Sequence, residues 1–379
     1  MAGIYIHIPF CKQACYYCDF HFSTSLKRKE EMLKALNKEL ILRKDELKNE
    51  IVETIYFGGG TPSLLTIDEL QFLIEAIYKN YTVGLNPEIT LEANPDDLSE
   101  EKIIELSNSP INRLSIGIQS FFDDDLKFMN RAHNAEESKK SLTIAKKYFD
   151  NITIDLIYGL PNMSAKKWRA NLQMAFDFGV PHISSYALTV EEKTALDSFI
   201  KKGTVLPVDE NLALEHFNIL IEETEKHGFV QYEISNFGKP NYFSKHNTSY
   251  WLGAKYLGIG PSAHSFNGAE RAWNISNNAK YINSITENKL PIQVEKLTGN
   301  NRFNEYVMTG LRTIWGISYE KVEKEFGALR LELLKKNAKP FLKNGLLEIK
   351  LGSFSSPSLV TTKKGKFLAD GIASDLFII

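Results

Sequence analysis

The sequence predicts an α/β protein, a partial (β/α)6 barrel followed by a small helical domain. Two observations carry this reading. Apolar strand-like runs alternate with amphipathic helix-like segments through the first two thirds of the 379 residues, and strands that alternate with helices pair in parallel through right-handed crossovers. Beyond about residue 301 the pattern turns helical and then ends in GLLEIK and SLVTTKKGKFLADGI, which suggest a short β-hairpin.

The strand-like runs fall at about residues 3–8, 51–57, 88–93, 113–118, 152–157 and 181–188. In the first, Ile4, Ile6 and Ile8 alternate with Tyr5 and His7, the period of a strand. Helices are expected over Lys27 to Leu47, Thr66 to Lys79, Ser164 to Phe178 and Asp209 to His227. Thr66 with Glu69 three residues on has the form of a capping box, which marks a helix start. Six units are too few to close an eight-fold TIM barrel, so an open, TIM-like one is expected. The expected domains are a barrel over 1–235, a connecting segment rich in aromatics and glycine over 236–290, and a C-terminal unit of winged-helix type over 291–379.

Hydrophobic residues make up 43% and charged residues 24% of the chain, the balance of a globular enzyme rather than a disordered chain. A formal net charge of −2 argues against coating nucleic acid by charge alone. The lysines of TTKKGK near the C-terminus read as a solvated hairpin, and no nucleic acid is expected as a partner. No apolar run reaches membrane-span length and the N-terminus lacks a basic leader, so the expected address is cytoplasmic, with peripheral membrane contact only through an acceptor protein.

The three cysteines all lie in the first eighteen residues, as Cys11-Lys-Gln-Ala-Cys15-Tyr-Tyr-Cys18. An odd number in one loop is no disulfide framework. The loop follows the first strand, where β/α folds place their chemistry. Three thiolates can hold three corners of a cubane cluster and leave the fourth iron open to a chelating ligand. The alternative is zinc with His7 or His21 as fourth ligand, but structural zinc sites usually join two separated knuckles and only one compact group is present.

The second strand runs into Gly58-Gly59-Gly60-Thr61-Pro62. Glycine there lets a polar ligand approach the main chain, although a tight turn alone accounts for it equally well. Glu92, Gln119 and Asp155 stand at or near the ends of later strands, the edge that forms a barrel mouth.

With these residues in view, C-x3-C-x2-C after a first strand resembles the radical S-adenosylmethionine superfamily. The resemblance implies a [4Fe–4S] cluster on Cys11, Cys15 and Cys18, S-adenosylmethionine chelating the open iron, and reductive cleavage to a 5′-deoxyadenosyl radical. Tyr17 matches the aromatic position before the last cysteine, and Gly58 to Thr61 resemble the segment that holds the methionyl amine. Nearly the whole chain is similar to the HemN-like branch, that of oxygen-independent coproporphyrinogen III oxidase. By that resemblance the cofactor-binding residues are Tyr5, Tyr17, Gly59, Gly60, Thr61, Glu92, Gln119, Arg131, Asp155 and Ala187, with Gly258 to His264 a further pocket segment.

Two departures bear on the reaction. The oxidase has a further cysteine just after its third, where this chain has Asp19 and Phe20, and it has a long N-terminal extension, whereas Cys11 here follows only ten residues. His246-Asn247-Thr248-Ser249-Tyr250-Trp251 instead resembles the H-N-x-x-Y-W motif of the heme-chaperone group within the branch. Histidine can ligate heme iron and aromatic rings can cover a porphyrin; read without the resemblance, His246 is an ordinary hydrogen-bonded histidine with Tyr250 and Trp251 in the core. The resemblance implies heme bound at His246, Tyr250 and Trp251, a heme-acceptor protein of respiratory or other type, an electron donor such as flavodoxin or ferredoxin, and a homodimer. The catalytic alternative is oxidative decarboxylation of coproporphyrinogen III.

Overall fold

The computed structural model describes residues 2–351 and 356–378. The expected strands form as β1 (Ala2–Ile8), β2 (Val52–Gly59), β3 (Val83–Ala93), β4 (Arg113–Gln119), β5 (Ile152–Tyr158) and β6 (His182–Ala187). Each is parallel to the next. Their near-continuous burial reflects helices outside and a filled interior, the condition under which parallel strands are found. The helix at Thr66 has the capping box read from sequence, Thr66 accepting from the Glu69 amide and Glu69 from that of Thr66.

Six more strands widen this arc: β7 (Val230–Glu233), β8 (Asn236–Gly238), β9 (Lys255–Ile259), β10 (His264–Phe266), β11 (Glu270–Asn274) and β12 (Ile292–Lys296). Among the described residues they give one open sheet, ordered β12-β11-β10-β9-β1-β2-β3-β4-β5-β6-β8-β7. β9 is parallel to β1 on its outer side, whereas β8 runs antiparallel to β6. The stretch 236–290 thus carries β8 to β11, and the helix Asn278–Thr286 buries Tyr281, Ile282 and Ile285 in the main core.

A second core, including Phe303, Val307, Leu311, Leu334 and Leu359, lies in the C-terminal region. Its three-stranded sheet contains the expected hairpin, Leu347–Leu351 with Pro357–Thr361. TTKKGK is not that hairpin: only Thr361 is in a strand, and Lys363 and Lys364 lie in the turn after it. Residues 352–355 lie outside the described residues. No described helix is long and apolar enough to cross a membrane.

One buried polar knot fastens β9 and β10 to the first helix. Glu39, fully buried on Lys29–Leu42, accepts from Arg43, Asn274, Tyr281 and the Gly260 amide. Arg43 also donates to the Gly258 carbonyl and the Ser265 hydroxyl. Without Glu39, Arg43 keeps its two-point bond to Glu46, but the buried Asn274, Tyr281 and Gly260 donors lose an acceptor, at a cost of about 1–3 kcal/mol for each group left unsatisfied. Glu39→Ala should therefore lower unfolding free energy by about 3 kcal/mol or more in urea titrations; a loss under about 1 kcal/mol would show the knot to be dispensable.

Candidate functional site

The carboxyl ends of β1 to β6 open on one cavity of about 500 Å³. Its wall holds Cys11, Cys15, Cys18, Tyr17, Gly59, Gly60, Thr61, Glu92, Gln119, Arg131, Asp155 and Ala187. Of the residues expected to hold the cofactor, Tyr5 is the exception. It lines a second cavity of about 550 Å³ that shares Asp19, Phe20, Gly59 and Glu92 with the first.

The cysteine loop is seated by backbone bonds. The Gly60 amide donates to the Ile8 carbonyl (2.9 Å) and the Thr61 amide to Phe10 (2.6 Å), while the Cys11 amide donates to Ser23 (3.1 Å). The glycines are needed for this approach. A Cβ on Gly60 would lie 2.5 Å from the Phe10 carbonyl oxygen, and Gly59 has φ +104° with His7 in the way of any side chain, a backbone region glycine enters freely. On the far side Gln13 and Asn130 tie the loop to the segment after β4.

Arg131 joins the thiols to the strand ends. Its guanidinium donates to Cys15 Sγ (3.4 Å), Asn94 Oδ1 (2.6 Å) and the Gly117 carbonyl (3.0 Å), and its buried Nε has no partner among the described residues. Asn94, which sequence reasoning missed, also donates to Thr61 Oγ1. It stands two residues past Glu92, so extending the strand-end search by one turn would have found it. Gln119 has φ +63° at the end of β4, a left-handed conformation uncommon outside glycine and typical of ligand-holding turns.

Of the carboxyls that line the cavity, Glu92 and Asp155 come from the strands. Glu92 accepts from the Tyr56 hydroxyl (2.8 Å) and the Gly59 amide (3.1 Å); burial raises its pKa and these bonds pull the other way. Asp155 is pushed up to about 7, first by burial and then by the charge of Glu92.

Soft thiols suit an iron–sulfur cluster. The carboxyls suit a cationic sulfonium, the unpaired Arg131 Nε suits a polar ligand, and the cavity size suits a small molecule. These residues fit both groups. Among the described residues no three Cys, His, Asp or Glu side chains converge on a single-ion site; the thiols line a wall. Histidine would have to complete a zinc site, but His7 donates from Nε2 to the His21 carbonyl (2.8 Å) and accepts from Tyr5 at Nδ1 (3.2 Å), while His21 bonds Asn278.

The H-N-x-x-Y-W segment forms the helix Lys245–Trp251. Ser244 caps it, and Glu88 on β3 accepts from the Lys245 and His246 amides, both at 3.0 Å. His246 is 1% exposed. Its Nδ1 meets Thr54 Oγ1 (2.8 Å) and its Nε2 meets the Tyr250 hydroxyl (2.7 Å). Burial lowers its pKa to about 3. Tyr250 and Trp251 are half-buried and line a third cavity of about 770 Å³, so they are not core residues. Of the Gly258–His264 segment, Ser262, Ala263 and His264 line the second cavity.

The raised pKa of Asp155 has a definite sign. In the unfolded chain an aspartate ionises near pH 3.9, so between there and about pH 7 only the unfolded state loses this proton, and stability falls as pH rises. Asp155→Asn should match the ligand-free wild type near pH 4, gain stability over it as pH approaches 7, and hold that gain above. Urea titrations across pH 4–8 test this; an advantage independent of pH would contradict it.

Residues 5–175 match the family model described as "Radical SAM superfamily", and 297–367 that described as "HemN C-terminal domain". Among curated proteins, the heme chaperone HemW of Bacillus subtilis (strain 168) is 34% identical over 377 residues, 98% of each chain. The heme chaperone HemW of Escherichia coli (strain K12) is 35% identical over 69% of each. Among solved structures, coproporphyrinogen III oxidase (HemN) from Escherichia coli aligns with TM-score 0.85 at 22% identity, covering 99% of this chain and 90% of that one, which speaks for the fold. The cysteine loop and strand-end cavity thus stand in a chain that belongs to the HemW family, within the HemN-like branch of the radical S-adenosylmethionine superfamily.

Proposed function

We propose that this chain binds heme and hands it to an acceptor protein, carrying a [4Fe–4S] cluster on Cys11, Cys15 and Cys18 and S-adenosylmethionine beside it. The observation that carries this reading is the continuity of the cavities. The second shares Gly59 and Glu92 with the cysteine cavity, and Tyr250 and Tyr256 with the cleft beside the H-N-x-x-Y-W helix. A cluster site and a heme site built this way would communicate through shared walls.

Bound at the open iron, the cofactor supplies a sulfonium that one electron can cleave. The protein residues bind and orient it. Gly59, Gly60 and Thr61, whose amides are engaged within the protein, offer main-chain carbonyls, Glu92 and Asp155 offset the sulfonium charge, and Gln119, Arg131, Tyr17 and Ala187 enclose the rest. Tyr5 closes the second cavity, held by its bond to His7. Heme meets Tyr250 and Trp251 in the third cavity, with His246 behind them and hydrogen-bonded to the Tyr250 hydroxyl. Asp19, in place of the oxidase cysteine, favours heme handling over decarboxylation.

Anaerobic reconstitution followed by two assays tests the function. A heme-induced Soret band with no conversion of coproporphyrinogen is expected; formation of protoporphyrinogen would overturn the chaperone reading. Cys11→Ala, Cys15→Ala and Cys18→Ala should each lose the cluster's visible absorption and bound iron while keeping the far-ultraviolet dichroism of the parent. Full iron retention in any of them would remove that cysteine from the ligand set.

A further inference from the structure

We propose that ferric heme sits in the cleft between the helices Lys245–Trp251 and Gly299–Leu311, with the Tyr250 oxygen as its axial ligand and His246 as the residue that positions that oxygen. This rests on the heme-binding reading above and assigns the ligand within it.

Both ring nitrogens of His246 are already engaged, and the residue is buried among Thr54, Tyr56 and Tyr250. A Cβ on Gly3 would lie 3.2 Å from the ring, so the histidine fills its seat closely. Reaching an iron from Nε2 would require breaking its 2.7 Å bond and moving the Tyr250 ring aside. Tyr250 is already at the wall. It borders the second cavity on one side and the 770 Å³ cleft on the other.

Phenolate oxygen is an established protein ligand of haem iron, and a hydrogen bond to the oxygen fixes its direction. The four-residue spacing of His246 and Tyr250 puts both on one helix face. With the Thr54 hydroxyl donating to Nδ1, neutral His246 donates from Nε2 to the tyrosine oxygen. Iron then replaces the phenol proton, which leaves to water, and the imidazole keeps its proton throughout.

The cleft suits the rest of the molecule. Its volume lies within the usual range for ligand pockets. Trp251 and Phe266 supply ring and apolar surface for a flat macrocycle. Arg271 is spoken for by Glu305 (2.7 Å), but the Arg302 side chain has no partner among the described residues, and Lys321 stands over the Tyr306 ring. These two cations, neither in a salt bridge among the described residues, match two heme propionates.

Ferric heme is titrated into the full-length wild type, Tyr250→Phe, His246→Gln and Arg302→Ala, with binding read from absorption and ligation from resonance Raman spectra. Iron–phenolate vibrations are expected in the wild type. Tyr250→Phe, which removes one oxygen atom, should lose them and raise Kd about tenfold or more. His246→Gln should keep them at lower affinity, and Arg302→Ala should raise Kd about two- to fivefold. An imidazole-ligated spectrum in wild type and Tyr250→Phe alike would overturn the tyrosine assignment, and the wild-type spectrum decides this even if a variant folds poorly. Unchanged affinity in Arg302→Ala would overturn this cleft as the seat. Failure of the wild type to take up heme would instead overturn the parent reading.

Discussion

Everything at the mouth depends on the parallel pairing of β1, β2 and β3. Ile8 lies opposite Gly59, and Phe57 opposite Leu91, so the cysteine loop, the glycine turn and Glu92 emerge together on one edge. A slip of one residue would turn each strand's side chains to the other face, sending Glu92 out of the cavity and an apolar neighbour in. Buried isoleucines and leucines on the strands, with helices packed outside, hold that register. The chemistry of the edge is thus secured by apolar packing well below it.

The mouth itself is arranged against local stability. Two carboxyls with raised pKa values, a buried arginine with an unpaired nitrogen and a non-glycine residue at positive φ lie within one cavity. Such groups persist where the surrounding structure over-determines them, and they suit a charged ligand that completes their bonding. The Glu39 knot has the opposite character, with every partner inside the protein. It holds the β9–β10 segment beside β1, and so fixes the wall of the second cavity.

Much of this was legible in the sequence because the signals are local. Alternating Ile4, Ile6 and Ile8, the Thr66–Glu69 box and the polar residues ending apolar runs state their structure within a few positions. What escaped is held by distant partners. The helix Lys245–Trp251 is only seven residues long, and Glu88, more than 150 positions away, accepts its first amides. β9 finds β1 from the other end of the sheet, a pairing no periodicity announces. Asn94 gains its role through Arg131 and Thr61 rather than from its place at a strand end. His246 shows both sides at once: its motif was readable, but its seat between Thr54 and Tyr250 was not.

The central claim is that three thiols hold a cluster whose fourth iron is open to S-adenosylmethionine. Electron paramagnetic resonance of the reduced, reconstituted chain, with and without the cofactor carrying a nitrogen-15 label on its amine, tests it most directly. The account predicts a [4Fe–4S]+ signal that shifts on cofactor addition and acquires a hyperfine coupling to the labelled amine. A chain that holds one zinc and no iron, or a cluster signal indifferent to the cofactor, would contradict it.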